Sequence, residues 1–257
     1  QFGELTSEDA DNSTTSNDAD LTVTDNNSDL TVDFGFIAPP MSLGNRVWID
    51  DGGDGANPTQ ANDGLRNGSE DGVGGVAVSL YEDANGDGVP DGAAIATDVT
   101  STTGDIGYYL FDDLPPGTYI VGIDNSNVAN PDGVLGNTDD AVLAGYSSST
   151  SVSPAPEDDD PDDNDHGNDT PNAPYGILSP SIVLSAGIEP TTGDNEDVTG
   201  TSKTPGLTIA DNNSDLTVDF GFVRPMSIGN RVWLDIDRVS GTSGDGTRQA
   251  IESGIGG

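Results

Sequence analysis

Closely spaced oxygen-bearing side chains in short glycine-containing loops are the residues of this chain best suited to chemistry. Residues 83–91 read DANGDGVPD, with an acid or amide at 83, 85, 87 and 91. Calcium takes six to eight oxygen ligands, and this spacing matches positions 1, 3, 5, 6, 7 and 9 of the EF-hand loop. Position 12 is Ala94, so the bidentate glutamate is missing. We predict a calcium site rather than a solvated acidic turn, with these ligands: Asp83, Asn85, Asp87, the Val89 carbonyl and Asp91.

A second set of candidate ligands is divided by an insertion. Residues 63–70 (DGLRNGSE) match the second half of the same pattern, and residues 245–252 (DGTRQAIE) repeat it. Asp50 and Asp235 each lie two residues after a tryptophan upstream of these segments. We predict an opened EF-like loop in each copy, the alternative being a polar loop without metal. Its ligands are Asp50, Asp63, the Leu65 carbonyl, Asn67 and Glu70 in the first copy, and Asp235, Asp245 and Glu252 in the second.

A run of carboxylates at 157–169 (EDDDPDDNDHGND) offers a third candidate. Charge runs are usually solvated, but one that is held on a rigid scaffold can wrap an ion. The candidate ligands are Asp160, Asp162, Asp163 and Asp165. His166, the only histidine of the chain, lies beside them, and we predict that it is a bystander because calcium prefers oxygen ligands.

The composition restricts the partners of the chain. There are 46 acidic residues against 7 basic ones, a formal charge of -39, and no cysteine. This charge repels nucleic acids and anionic lipids, and no apolar run approaches the roughly 20 residues of a membrane span. We therefore predict no nucleic-acid partner and no membrane insertion in this segment. The charge also repels itself, and Ca2+ in the acidic loops would offset that repulsion where seven basic residues cannot.

Catalytic chemistry is poorly supported. With one histidine, one lysine and no cysteine, most pairs of nucleophile and base are not possible. Paired carboxylates can hydrolyse glycosides, but here they lie in Asp-Gly loops and not in an apolar pocket that would raise a pKa. We predict that the chain is not an enzyme.

Repeated blocks reveal the organisation of the chain. Residues 25–36 and 211–222 both read DNNSDLTVDFGF, and SLGNRVWID at 42–50 returns as SIGNRVWLD at 227–235. Self-similarity of this kind indicates tandem repeats. We predict three parts: the C-terminal part of a preceding repeat (1–40), a complete repeat (41–225) and the N-terminal part of a following repeat (226–257).

Short apolar runs bounded by turn residues predict the fold. The runs 76–81, 107–111, 118–123 and 216–222 are β-branched or aromatic, and no helical period persists. We predict an all-β sandwich in which 124–180 forms a long acidic excursion. The following aromatic residues alternate within strands and are predicted to form its core: Trp48, Trp233, Tyr109, Phe111, Tyr119, Phe220 and Phe222.

Two groups of motifs resemble a known family. The pattern GxYxFxxLxxGxYxV at 107–121 resembles collagen-adhesin B-type (Cna B-type) domains, and GNRVWxD with the closing VDFGF strand is similar to their SdrD B-like subgroup in bacterial surface adhesins. The resemblance covers the repeat except 124–180, and both fragments. It implies a prealbumin- or immunoglobulin-like sandwich, repeated in tandem, secreted and calcium-binding. Some relatives carry a Lys–Asn isopeptide bond, but here the only lysine is Lys203 and the first-strand position is Arg46, so we predict none.

Two functions follow as expectations. The first is a structural calcium-binding repeat of a bacterial or archaeal surface adhesin stalk or extracellular fibre, whose partners are neighbouring repeats or identical subunits in an elongated array or filament. The second is an adhesion module that recognises a host or matrix protein, a glycan or a neighbouring subunit through 124–180 or a strand edge. Both place the chain outside the cell, on its surface or in a secreted fibre.

Overall fold

A computed structural model describes residues 35–53, 59–66, 69–150, 164–168, 172, 174–191 and 202–225. Strands dominate these residues, with two short 3-10 turns at Asn125–Val128 and Asp211–Asn213. The strands are β1 (Met41–Ile49), β2 (Ala77–Glu82), β3 (Ala96–Val99), β4 (Tyr108–Leu114), β5 (Gly117–Ile123), β6 (Ser147–Ser148), β7 (Ile177–Leu178), β8 (Ile182–Leu184), β9 (Ser214–Asp215) and β10 (Phe220–Val223). No helix in this part of the chain is long and apolar enough to cross a membrane.

The strands form two five-stranded sheets. The first has the order β4-β1-β10-β6, with β9 also on β1, and the second has the order β3-β2-β5-β7, with β8 also on β5. The predicted all-β sandwich is confirmed. Most of its buried apolar side chains form one core cluster, whereas Tyr81, Ile120 and Leu178 form a second cluster with Tyr175.

The first and last strands of the sandwich run side by side in the same direction. β1 pairs with β10 in parallel, with Val47 opposite Phe220 and Ile49 opposite Phe222, and it pairs in parallel with β9 at Ser42. The chain therefore enters the sandwich where β1 begins, here named the leading end, and leaves it at the opposite, trailing end. The eight steps between the nine residues of β1, at ~3.3 Å each, separate the two ends by about 26 Å.

The core contains the aromatic residues that the strand alternation predicts. Trp48, Tyr109 and Phe220 are fully buried, and Phe111, Tyr119 and Phe222 are at most 3% exposed. The buried hydroxyl of Tyr109 donates a 2.6 Å hydrogen bond to the Val218 carbonyl, which satisfies its polar atom. Trp233 lies outside the described residues.

The segment 124–180 is more integrated than its polar composition predicts. It supplies β6 and β7, and Leu143 within it is fully buried. The side chain of Asn127 accepts the Ala77 amide and donates to the Ala77 carbonyl, both at 2.8 Å, which extends the start of β2. A few apolar anchors separated by long polar stretches do not produce a strand period, so the sequence conceals this packing.

Candidate functional site

The loop 83–91 lies at the leading end, and its backbone closes around one carboxylate. Asp83 is fully buried, and its oxygens accept hydrogen bonds from the amides of Asp87 and Gly88, each at 3.1 Å. Ser181 Oγ donates a third bond of 2.5 Å. Gly88 has a φ of 77°, a left-handed conformation that glycine adopts without strain, so the chain can turn around Asp83.

The other predicted ligands of this loop follow the same turn on its solvent side. Asp91 Oδ2 accepts the Ala84 amide at 2.8 Å, and Asp87 Oδ1 accepts the Val89 amide at 3.0 Å. The side-chain nitrogen of Asn85 lies 3.2 Å from Asp87 Oδ2 and 3.4 Å from Asp91 Oδ1. The structure therefore gathers the side chains of Asp83, Asn85, Asp87 and Asp91 into one loop.

Asp83 is the electrostatic centre of the loop. Burial by itself would raise the pKa of Asp83, but the hydrogen bonds from Ser181 and from the loop amides outweigh burial and lower the pKa below the ordinary 3.8. The carboxylate is therefore charged at neutral pH and is held by neutral donors.

The second predicted loop lies at the trailing end and is organised by Asp50. This residue follows β1, is fully buried, and accepts the amides of Asn62 at 2.6 Å and Gly64 at 2.8 Å. Glu70, 3% exposed, accepts the Gly52 amide at 2.8 Å. Two buried carboxylates thus accept hydrogen bonds from the backbone of one loop.

The two ends of this loop affect each other electrostatically. Burial raises the pKa of Asp50, and the negative charge of Asp63 adds to the rise, although the amides of Gly64 and Asn62 oppose it. Asp63 also accepts the Leu65 amide at 3.1 Å. In contrast to Asp83, therefore, Asp50 bears its charge at a free-energy cost. Asn67 lies outside the described residues.

The described end of the acidic run packs directly on the second loop. Leu65 and Asn164 form an antiparallel bridge, and the Asp165 amide donates to the Gly64 carbonyl at 2.8 Å. Asn164 is 4% exposed, and its Oδ1 has no hydrogen-bond partner in the described part of the chain. The two groups are separate candidate sites in the sequence, whereas the structure makes them neighbours.

Asp165 joins this region to the sheet. It is fully buried, and its oxygens accept the Gly167 amide at 2.8 Å, the Gly221 amide at 3.1 Å and the Ser149 hydroxyl at 3.0 Å. These bonds connect β10 to the segment that follows β6. A ligand role for Asp165 stays a prediction, and three of its predicted companions lie outside the described residues: Asp160, Asp162 and Asp163.

His166 is a buried and neutral member of the sheet. Burial lowers the pKa of His166 to about 4, so the imidazole is uncharged at neutral pH. Its Nδ1 accepts the Asp219 amide at 3.3 Å, and its own amide donates to the Asp219 carbonyl at 2.9 Å. Through these two bonds His166 holds Asp219, the residue immediately before β10.

The donor set of both loops consists of oxygen, which fits calcium. In the second loop the fit is supported by the orphaned Asn164 Oδ1 beside Leu65, because a buried carbonyl oxygen without a donor is a group that a cation would satisfy. As they stand, the described residues contain no group of three or more His, Cys, Asp or Glu side chains that could hold a metal ion. Calcium binding therefore stays a prediction, and so do Asp235, Asp245 and Glu252, which lie outside the described residues.

Two residues were missed by the sequence analysis. Ser181 completes the shell of Asp83 from a position 98 residues away, and no sequence spacing indicates such a contact. Asn164 belongs to the acidic run, but that run was interpreted through its carboxylates and not through this amide.

Lys203 ion-pairs with Asp98 and lies 5.5 Å from the Tyr108 ring centre, at the surface of the sandwich.

The fold and its loops define an all-β sandwich that carries acidic loops at both ends of a parallel pair of terminal strands. No protein-family model matches the chain. It is 35% identical over 111 residues, 43% of its length, to a fibrinogen-binding protein of Staphylococcus epidermidis, and 33% identical over 129 residues, 46% of its length, to Colossin-B of Dictyostelium discoideum. The matches span 8% and 3% of these relatives. The chain is thus similar to a small part of each, and the SdrD B-like assignment stays a prediction.

Proposed function

We propose that the chain is a structural, calcium-binding repeat of an extracellular surface adhesin stalk or fibre. The parallel pairing of β1 with β10 carries the proposal. Because the chain enters at one end of the sandwich and leaves at the other, consecutive repeats follow one another along the strand direction. An antiparallel terminal pair would return the chain to its starting end and fold an array back on itself.

The connection between repeats supports an extended array. Val223 ends β10, and Met226, the counterpart of Met41, follows after only Arg224 and Pro225. Two residues, one of them a proline with a fixed φ, leave little freedom between domains. A two-residue linker therefore favours a stiff spacer over a flexible string of domains.

The positions of the acidic loops support a role for cations in the array. The loop around Asp83 lies at the leading end, and the loop around Asp50 lies at the trailing end, where the Asp50 amide donates to the Phe222 carbonyl at 2.8 Å. In tandem, the trailing loop of one repeat faces the leading loop of the next. Like charges would meet at each junction, and bound calcium would neutralise them and fix loops that no disulfide holds.

The comparisons support a surface location. One relative is named for binding fibrinogen, and the staphylococcal origin of that protein fits a bacterial surface adhesin. The same name favours the second candidate function, an adhesion module whose partner is a protein. The two proposals differ in what the isolated repeat binds, since a spacer joins its neighbours and an adhesion module retains a soluble protein ligand.

We also propose that the chain has no catalytic activity. Its one histidine is buried, and its pKa of about 4 makes it a weak base. The buried Asp83 carboxylate already accepts hydrogen bonds from the Ser181 hydroxyl and from the amides of Asp87 and Gly88. Neither group has the combination of access and a pKa near 7 that general acid–base catalysis needs.

Small-angle X-ray scattering of a lengthened chain tests the proposed function. Residues 41–225 are duplicated directly after Pro225 in the full chain, which adds one repeat with a natural junction. We expect the longest dimension to grow by about 30 Å or more, since β1 alone spans about 26 Å. Growth of the radius of gyration without a longer maximum dimension would mean that the repeats pack side by side, and the spacer proposal would then be wrong.

A further inference from the structure

A small apolar cavity opens at the trailing end of the sandwich. It has a volume of about 130 Å³. Its walls come from the ends of both sheets and from the 3-10 turn after β5, and the apolar members are Ile123, Val128, Tyr146, Ile177 and Phe222. An apolar cavity of ~150 Å³ holds a benzene molecule, so this one has room for one aliphatic side chain.

The leading end carries an exposed apolar side chain. Ile188 lies just beyond β8, in the turn 185–189, and is 77% exposed. The turn is fixed from below, because the Gly187 amide donates to Asn213 Oδ1 at 2.7 Å and the Glu189 amide donates to the Asn212 carbonyl at 3.2 Å. Single exposed apolar side chains are common on protein surfaces, so Ile188 is informative through its position on a rigid turn at the leading end.

Ile188 is next to the point where the chain enters the repeat. Asn213 is followed by Ser214, which pairs with Ser42 of β1, so the turn 185–189 lies at the end of the sandwich where β1 begins. Residues 38–40 link the preceding strand motif to β1. Phe36, shortly before this linker, is the counterpart of Phe222. Phe222 is a wall of the trailing cavity. In tandem, the cavity of one repeat and Ile188 of the next therefore lie at the same junction.

We propose that consecutive repeats lock together by insertion of Ile188 into the trailing cavity of the preceding repeat. The inference rests on the proposed tandem array and names its interface: the occupant of the cavity is a second copy of this domain. The linker of Arg224 and Pro225 limits the separation of the two surfaces, and Arg224 lies 5.9 Å from the ring centre of Tyr146 at the rim of the cavity. The contact is apolar and includes no residue of either acidic loop, so it sets the direction of each junction independently of bound ions.

The duplicated chain described above provides a test with an internal control. The chain has no cysteine, so Ile188→Cys in either copy introduces a unique thiol. In the second copy the thiol is predicted to lie in the cavity of the first copy. The first copy is preceded by residues 1–40, whose sequence contains a counterpart of only one cavity wall, Phe222. We expect alkylation by iodoacetamide to be at least about tenfold slower in the second copy, as for a thiol with restricted access. Equal rates in the two copies would overturn the proposal.

Two further variants separate the cavity from other causes of protection. Val183→Cys, at a position that is 47% exposed on β8, should react equally fast in both copies. Val128→Trp in the first copy fills the cavity, and it should restore fast alkylation at position 188 of the second copy. Continued protection would show that another surface covers Ile188, which would overturn the role of the cavity. An elongated particle with equal alkylation rates would remove this junction while leaving the spacer function intact.

Discussion

Ser181 Oγ lies 2.5 Å from Asp83 Oδ2, and this hydrogen bond joins the start of β8 to a loop 98 residues earlier in the chain. The carboxylate is charged and buried, so water does not fully replace a lost donor, and the loss costs free energy. The contact therefore ties the acidic loop at the leading end to the second sheet.

Replacement of Ser181 by alanine tests this link. A hydrogen bond to a charged group contributes about 1.5–3 kcal/mol, so Ser181→Ala should lower the free energy of unfolding by roughly that amount. Urea unfolding followed by fluorescence of the buried Trp48 is a suitable measurement. Ser126→Ala, at an exposed serine, is the matched control and should change stability by less than about 0.5 kcal/mol. Equal effects of the two variants would contradict the assigned role.

Calcium should raise the melting temperature of the chain. Extracellular sites with Kd of about 10⁻⁴–10⁻³ M gain about 1.4–2.7 kcal/mol each at ~10 mM calcium. For a domain of this size that is a rise of roughly 3–10 °C per occupied site. Calorimetry in calcium and in excess chelator measures the difference, with magnesium at equal ionic strength as the control.

Variants in the two acidic loops test which residues produce the calcium effect. Asp50→Asn and Asp83→Asn should each reduce the calcium-dependent shift, whereas Asp139→Asn, outside both loops, should retain it. A melting temperature that chelation does not change would remove calcium from the proposed function.

The buried His166 makes the free energy of unfolding depend on pH between 6.5 and about 4. Since the pKa of His166 falls from 6.5 unfolded to about 4 folded, its contribution is complete above pH 6.5 and is lost as pH falls through 4. The loss amounts to about 3 kcal/mol at most. His166→Asn keeps an acceptor near the position of Nδ1 but does not titrate, so the fall in stability between pH 6.5 and 4 should be shallower. Urea unfolding at several pH values measures this, and an unchanged slope would show that the dependence comes from the carboxylates.

A glycine in β10 should be sensitive to even a single methyl group. A Cβ at Gly221 would lie 2.3 Å from Ser149 Oγ and 2.9 Å from the Trp48 ring. Overpacking of this kind costs about 1–3 kcal/mol, so Gly221→Ala should lower the midpoint of urea unfolding. Gly92→Ala, whose added Cβ would meet no atom within 4 Å beyond its chain neighbours, gives a control that should be nearly neutral. If both variants are equally stable, the close approach of β10 to β1 is not as tight as described.

The sequence predicted the strands well because their alternation is local. The runs at 76–81 and 118–123 differ from β2 and β5 by about a residue at each end. The run 216–222 was longer than β10, since Leu216 and Val218 are buried but lie outside the ladder. Alternation reports which residues face the core and not which strand they pair with, so the parallel partnership of β1 and β10 could not be read from it.

The candidate site was predicted less completely, for a different physical reason. Spacing within a loop identified Asp83, Asn85, Asp87 and Asp91 as a group, because those contacts are between near neighbours. It could not show that Asp50 and Asp83 are fully buried, since carboxylates are ordinarily exposed. Nor could it bring Asn164 to Leu65, which are joined only by the packing of distant segments.

The direction of β1 relative to β10 also decides how the repeat responds to mechanical force. Tension applied through the chain pulls Met41 and Val223 toward opposite ends, along the axis of two strands that are bonded side by side. The interstrand hydrogen bonds are then loaded together in shear and do not open one after another, as they would in an antiparallel pair pulled from one end. A sandwich with this geometry resists extension with its whole β1–β10 seam, which is the property that the proposed spacer function requires.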